Sequence, residues 1–185
     1  MKHSHKPAEP LGQQHQPGEG KPFTTTERAR WSDVDAAGVV YFAAYIRFFE
    51  VAETEMFRAA GLCFQTMTEE LRLWLVRRQI VCDYFKPVLI DQEVNISAYV
   101  AGMGNSSLEL GFFVHDGVSG QLAATASFRL VAVDHESFKP TPLPDTVREA
   151  LQPFTLDHET ARLLMGENPH ERAGTHTTVS EQADE

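Results

Sequence analysis

The chain has 185 residues, a formal net charge of −10 and 42% hydrophobic residues, which fits one ordinary domain with tails. Its acidic balance argues against nonspecific nucleic-acid binding, because that binding requires a basic face. No apolar run approaches the ~18 residues of a membrane-spanning helix, and no secretory signal opens the chain, so we expect a cytoplasmic protein without membrane insertion.

The N-terminal part of the chain is polar. Residues 1–22 are rich in Pro, Gly, Gln, His and Lys, and they bury too little apolar surface to offset chain entropy, so we predict a disordered arm. From Phe23 to Trp31 a run containing several Thr residues favours a first strand. A short loop with two carboxylates, Asp33 and Asp35, follows, and Gly38 allows it to turn sharply because glycine has no Cβ.

A helix with an apolar face is predicted after this loop. Its large apolar residues recur at a spacing close to 3.6, namely Phe42, Tyr45, Phe49, Ala52, Met56 and Ala60. Phe48 and Phe57 widen this face, which indicates a helix surrounded by other elements. We interpret the aromatic stripe as core, and Gly61 is placed to end the helix.

Four strands are predicted in the rest of the domain. Apolar residues dominate 74–85 and alternate with polar or small residues over 94–100, 108–114 and 122–132. The predicted fold class is therefore α+β, with a five-stranded antiparallel sheet wrapped around one long central helix. We place this domain at 23–155 and predict that the acidic and polar residues 156–185 form a disordered tail.

The chemistry of the chain centres on Asp33 and Asp35. In the simpler interpretation they are loop acids, one of which caps the helix. In the functional one, an acid attacks a carbonyl or activates water while a helix N–H stabilises the developing negative charge. A thioester is a suitable substrate for a site with so few catalytic groups, because the thiolate leaves without being protonated. The predicted helix contains no His, and the chain has no G-x-S-x-G nucleophile motif.

The string D-x-D-x-x-G-x-V-Y-F at Asp33–Phe42 resembles the signature of hotdog-fold acyl-CoA thioesterases of the 4-hydroxybenzoyl-CoA thioesterase class. The similarity covers Thr24–Leu151. Within the class, the chain looks most similar to the 1,4-dihydroxy-2-naphthoyl-CoA hydrolases, through this string and the later run from Lys139 to Pro144. The resemblance implies a hotdog fold and a homodimer or dimer-of-dimers homotetramer with its active site at the subunit interface.

The resemblance also implies roles for individual residues. Asp35 matches the catalytic nucleophile or general base, and the backbone N–H of Phe42 matches the oxyanion donor. Four residues are expected to bind or support the substrate: Asp33, which orients the loop, and Gly38, Tyr41 and Ser107. Ser107 is equally interpretable as a plain strand serine. No metal or other cofactor is expected.

Some alternatives stay open at this point. The acyl group is aromatic if Phe42, Tyr45 and Trp74 line a flat pocket, but these residues fit a core equally well. A short-chain acyl-CoA thioesterase of the Tol-Pal-associated type is the nearest rival, followed by a non-catalytic module that binds an acyl thioester or a partner. The family often has basic residues just before Ser107, where this chain has Gly104, Asn105 and Ser106.

Overall fold

The computed structural model describes residues 20–166, so the predicted disorder of 1–19 and 167–185 lies outside the described residues. Five strands and three α-helices make up the described chain. In order, they are β1 (Phe23–Arg28), α1 (Tyr45–Ala59), β2 (Leu73–Tyr84), β3 (Glu93–Met103), β4 (Ser107–Asp116), β5 (Leu122–Asp134), α2 (Asp145–Leu151) and α3 (His158–Leu164).

All five strands form one antiparallel sheet in the order β1-β3-β4-β5-β2. Strands β3, β4 and β5 are a meander, whereas β2 pairs with β5 and forms one edge of the sheet. A bulge interrupts β2 between Arg77 and Gln79. The alternation predicted from the sequence is confirmed, since every second residue of β4 from Leu108 to Val114 is buried on the side of the helix.

Helix α1 packs on one face of this sheet and supplies much of the core. Phe48, Phe49, Ala52 and Met56 are fully buried, and the ring of Phe49 lies 5.3 Å from that of Phe112 in β4. The helix ends as predicted, at a glycine in the left-handed region. There the N–H of Gly61 donates to the carbonyl of Arg58, and the N–H of Leu62 donates to the carbonyl of Phe57. These two hydrogen bonds define a Schellman motif.

The predicted end of the domain at 155 is wrong. Residues 156–166 were expected to be disordered, but they include α3, which lies on the face of the sheet opposite α1. Leu156 and Ala161 are buried there against Tyr99 and Phe113. Asp157 caps the helix by accepting the N–H of Thr160 at 2.9 Å.

No helix within residues 20–166 is long and apolar enough to cross a bilayer. The cytoplasmic location stays a prediction.

Candidate active site

The loop between β1 and α1 is held in one conformation by its own backbone. The N–H of Gly38 donates to the carbonyl of Asp35 at 3.0 Å, and the N–H of Asp35 donates to Val39 at 2.9 Å. Gly38 has a φ of +76°, which a residue with a side chain rarely adopts. The loop is also fixed to the segment before β3, because the N–H of Val40 donates to Val88 at 2.8 Å.

Asp33 is buried and fully engaged. One carboxylate oxygen accepts the Nε–H of Arg47 at 3.0 Å, and the other accepts the second arm of the same guanidinium and the N–H of Arg30 at 2.8 Å. Arg47 also pairs with Glu27 at 2.6 Å. Burial alone would raise the pKa of Asp33, but the hydrogen bonds and charge of Arg47 outweigh it and hold that pKa below its ordinary value.

This geometry argues against a direct contact between Asp33 and the substrate, and the part that Asp33 plays in the site stays a prediction. Asp33 is 4% exposed and both its carboxylate oxygens already accept hydrogen bonds within the chain, so the group is not presented to a ligand. It orients the loop. Neither acid caps the helix, because the N-terminal turn at Phe42–Ala44 has no side-chain cap.

Asp35, by contrast, is exposed and lies in a cleft of about 430 Å³. The other lining residues are Trp31, Val34, Ala36, Gly38 and Ile90. One of its carboxylate oxygens accepts the N–H of Ala37 at 2.8 Å, which fixes the side chain over the turn. The second oxygen forms no hydrogen bond with any of residues 20–166, so it is available to a ligand or water.

Phe42 begins the helix in a turn of 3₁₀ helix that continues into α1. The N–H of Tyr41 donates to the carbonyl of Asp33, and the N–H of Ala44 donates to the carbonyl of Tyr41. The Phe42 N–H, in contrast, donates to no residue in the described part of the chain. This is the unpaired amide expected at a helix N-terminus. The side chains of Tyr41 and Phe42 are both exposed, so Phe42 does not belong to the core stripe predicted from the helical spacing.

Ser107 lies elsewhere. It begins β4, is exposed, and lines a separate cavity of about 480 Å³ together with Arg78 and Arg129. The cavity containing Asp35 and the one containing Ser107 have no lining residue in common. A single chain therefore does not bring Ser107 and Asp35 into one site.

A third cavity, of about 240 Å³, lies at the far end of α1. Trp74 lines it with apolar side chains that include Phe57 and Phe64. Of the three aromatic residues considered for a flat pocket, Trp74 is the one found lining a cavity in residues 20–166 that is described above. Tyr45 is buried in the core, and Phe42 is exposed on the surface.

Sequence reasoning missed two residues that shape the site, Arg47 and Tyr84. Arg47 lies in α1 and pairs with Asp33. A cation inside the apolar pattern of this helix was the signal that could have predicted the pair. Tyr84, at the end of β2, donates its hydroxyl to the carbonyl of Phe42 at 2.9 Å. The contact spans 42 positions of the chain, and no local pattern predicts it.

Fold and site together define a hotdog-fold, thioesterase-like protein. Residues 29–151 match the model of the thioesterase-like superfamily, and the chain belongs to this family. The acyl-CoA thioester hydrolase YbgC of Escherichia coli O157:H7 is 33% identical over 127 residues, covering 68% of this chain and 92% of that protein. The predicted family is confirmed.

Two further similar proteins are named as 1,4-dihydroxy-2-naphthoyl-CoA hydrolase or thioesterase. The 1,4-dihydroxy-2-naphthoyl-CoA hydrolase of Nostoc punctiforme is 27% identical, covering 75% of this chain and 93% of that protein. The crystal structure of Slr0204, a 1,4-dihydroxy-2-naphthoyl-CoA thioesterase from Synechocystis, matches with a TM-score of 0.65 and 22% identity over 70% of this chain and 94% of that one. At that identity it shows the shared fold.

Metal-binding geometry is not found at the site. Within residues 20–166, no group of three or more His, Cys, Asp or Glu side chains is arranged to hold a metal ion. That no metal or cofactor takes part stays a prediction.

Proposed function

We propose that this protein hydrolyses acyl-CoA thioesters to the free acid and coenzyme A. The observation that carries the proposal is that the exposed carboxylate of Asp35 is followed seven residues later, at Phe42, by a helix amide that has no partner in the described part of the chain. Relatives named as acyl-CoA thioester hydrolases support it. The proposal assigns the chemistry to Asp35 and the stabilisation of charge to the Phe42 N–H.

The reaction needs few groups. The substrate carbonyl accepts the Phe42 N–H, which stabilises the oxyanion as the tetrahedral intermediate forms. Asp35 either takes a proton from the attacking water or attacks the carbonyl itself and forms an anhydride that water then hydrolyses. In both routes a C–O bond forms, the C–S bond breaks, and the electron pair leaves with the CoA thiolate.

Coenzyme A is a polyanion, and the protein carries a net charge of −10, so its phosphates require a local basic site. Arg78 and Arg129 flank the cavity that contains Ser107. Arg78 lies in the bulge of β2, next to the residue that pairs with Arg129 of β5. The guanidinium of Arg129 stands 3.7 Å from Glu109. We assign this cavity to the coenzyme, where the two arginines replace the basic residues that this chain lacks before Ser107.

A second copy of the chain completes the site in this proposal. β2 is a 12-residue edge strand whose outer side pairs with no other strand of residues 20–166, and it exposes apolar side chains at Val76, Ile80 and Val81. Edge strands of this kind are templates for pairing with another strand. We propose that the β2 strands of two copies pair with each other, and that the Asp35 cleft of one copy then lies against the surface of the other. Sedimentation of the purified protein as a monomer would contradict this arrangement.

The direct test is an assay of the purified full chain against a panel of aromatic and aliphatic acyl-CoAs. Free thiol is measured as it is released, and 1,4-dihydroxy-2-naphthoyl-CoA and short straight-chain acyl-CoAs are compared by kcat/KM. We expect thiol release from at least one member of the panel. The ranking of the panel decides between an aromatic and a short aliphatic acyl group.

The panel also tests the competing function. If the protein is a non-catalytic module, acyl-CoAs will bind in a calorimetric titration but no thiol will be released from any of them. That result would contradict the proposed hydrolysis.

A further inference from the structure

Tyr84 connects the edge strand to the first turn of the helix at the point where the proposed chemistry takes place. Its hydroxyl donates to the carbonyl of Phe42 at 2.9 Å, within the normal range for an O–H···O bond. Its ring also packs edge-on against Tyr45, with the ring centroids 5.1 Å apart. Tyr84 is therefore fixed at both its ring and its hydroxyl.

These two contacts act on the backbone of one residue. Tyr45 is buried at the start of α1 and cannot move without disturbing the core. The bond to the Phe42 carbonyl fixes the plane of the peptide that joins Phe42 to Ala43. The N–H of Phe42 belongs to the preceding peptide, whose Tyr41 carbonyl accepts the N–H of Ala44 at 2.9 Å. The two peptide planes meet at the Cα of Phe42, so the bond from Tyr84 holds the side of this junction that the helix turn does not hold.

We infer that Tyr84 is a positioning residue, which holds the Phe42 N–H in the direction required to stabilise the oxyanion of the substrate. The inference rests on the proposed function. It adds a residue from β2, remote in sequence from the acid loop, that determines how well the helix amide is aligned. Misalignment of such a donor by a fraction of an ångström is costly in the transition state and nearly neutral for ground-state binding.

The hydroxyl stays protonated over the whole working range. Burial, followed by the neighbouring Cys82 thiol, raises the pKa of Tyr84 to about 12. Tyr84 thus remains a hydrogen-bond donor at every pH at which the enzyme is assayed, and we expect no loss of activity from its ionisation below pH 10.

The test is Tyr84→Phe, which removes one oxygen and keeps the ring against Tyr45. We expect kcat to fall roughly 10-fold while KM changes less than about 2-fold, because the bond aligns a group that acts in the transition state. The matched control is Tyr99→Phe, which removes the hydroxyl that bonds His158 at 2.9 Å on the opposite face of the sheet. It should leave kcat unchanged.

A second measurement separates positioning from a structural role. A trifluoromethyl ketone analogue of the substrate forms a tetrahedral adduct, whereas a thioether analogue cannot, so their affinities report the oxyanion contact separately from binding. In Tyr84→Phe, the affinity for the ketone should fall together with kcat, and the affinity for the thioether should stay constant. Titration with the thioether also counts folded sites, so kcat is expressed per site even if the variant folds poorly.

The possible outcomes separate the two proposals. If the wild-type protein hydrolyses acyl-CoA and Tyr84→Phe has the same kcat per site, Tyr84 has no positioning role and the proposed function stands. An equal loss of affinity for both analogues would also overturn the role, because it would indicate a damaged binding site. If the wild-type protein releases no CoA from any substrate, the proposed function and the role of Tyr84 both fail.

Discussion

The loop that precedes α1 has a buried half and an open half, and each contains one of its two acids. Asp33 is 4% exposed and held by Arg47, whereas Asp35 is exposed in a cleft and accepts one N–H from its own turn. Residues two positions apart in an extended strand face the same side, but Asp33 ends a 3₁₀ turn at Trp31–Asp33 and Asp35 precedes the turn at 36–37, so the two side chains lie in different surroundings. The buried acid sets the shape of the loop, and the open acid is left free for chemistry.

This division explains why the string needs both acids. A loop that only had to present a carboxylate would need one of them. Here the open half keeps its shape because the buried half is bound to the helix by Arg47 and to the segment after β1 by the N–H of Arg30. Changes in the two halves should accordingly produce different kinds of loss, and three variants test this.

The largest effect is expected from Asp35→Asn. Asparagine keeps the size of the side chain and an oxygen for the Ala37 N–H, but it removes the charge and the basicity. We expect kcat to fall at least ~10²-fold, about 2.7 kcal/mol in the activation barrier, with an unchanged melting temperature. Steady-state thiol release and thermal melting measure the two quantities.

Asp157→Asn is the matched control for that experiment. It makes the same chemical change at the cap of α3, where asparagine caps about as well as aspartate, so neither activity nor stability should change. Near-normal hydrolysis by the Asp35 variant would remove Asp35 from the mechanism.

Asp33→Asn should act mainly on stability. It leaves Arg47 without its buried partner, and we expect a loss of about 2 kcal/mol in the free energy of unfolding. Glu93→Gln breaks the exposed pair with Arg28 and should cost less than ~0.5 kcal/mol. Urea unfolding of both variants measures the two losses in the free energy of unfolding. Equal losses would show that the buried pair contributes no more stability than the exposed pair.

The pH dependence of stability gives the same contrast. The pKa of Asp33 is lowered below its ordinary value of 3.8 in the folded protein, so its contribution is fully present above that pH and is lost as the pH falls further. The difference in unfolding free energy between wild type and Asp33→Asn should therefore be constant from pH 5 to 7 and shrink below about pH 3.8. A difference that stays constant down to pH 2 would contradict the lowered pKa.

The smallest effect is expected from Gly38→Ala. A Cβ at this position meets no atom within 4 Å, so only the strain of a positive φ remains, about 1 kcal/mol. Gly120→Ala, with φ of +68° and equally open surroundings in the β4–β5 turn, is the control. Both should lower stability alike, but only the Gly38 variant should lower kcat, and a kcat loss in both would indicate a general effect.

The fold was largely predictable because burial of one face imposes a period on the chain. The alternation in β3, β4 and β5 and the 3.6 spacing in α1 are direct consequences of that burial. Asp35 was predictable because its motif is continuous in sequence. Phe42 follows the same helical spacing and is nevertheless exposed, since it lies in the turn before α1 begins.

The remaining features depend on contacts between distant parts of the chain. α3 has only a few apolar residues, and its order comes from Tyr99 and Phe113, which are more than 40 positions away in the sequence. Whether Ser107 shares a cavity with Asp35 depends on where the start of β4 lies relative to the loop before α1, and that is set by the pairing of strands distant in sequence. Tyr84 reaches Phe42 only because β2 is an edge strand that ends beside the helix.

The position of α3 also restricts how larger assemblies can form. Because α3 covers Tyr99 of β3 and Phe113 of β4 from outside, two copies cannot stack their sheets back to back over this area. Any contact between pairs of subunits through that face would have to use β5 and β2 or displace the last helix. A chain cut at residue 155 would remove this obstacle and expose the apolar surface of Tyr99 and Phe113, which we expect to promote aggregation.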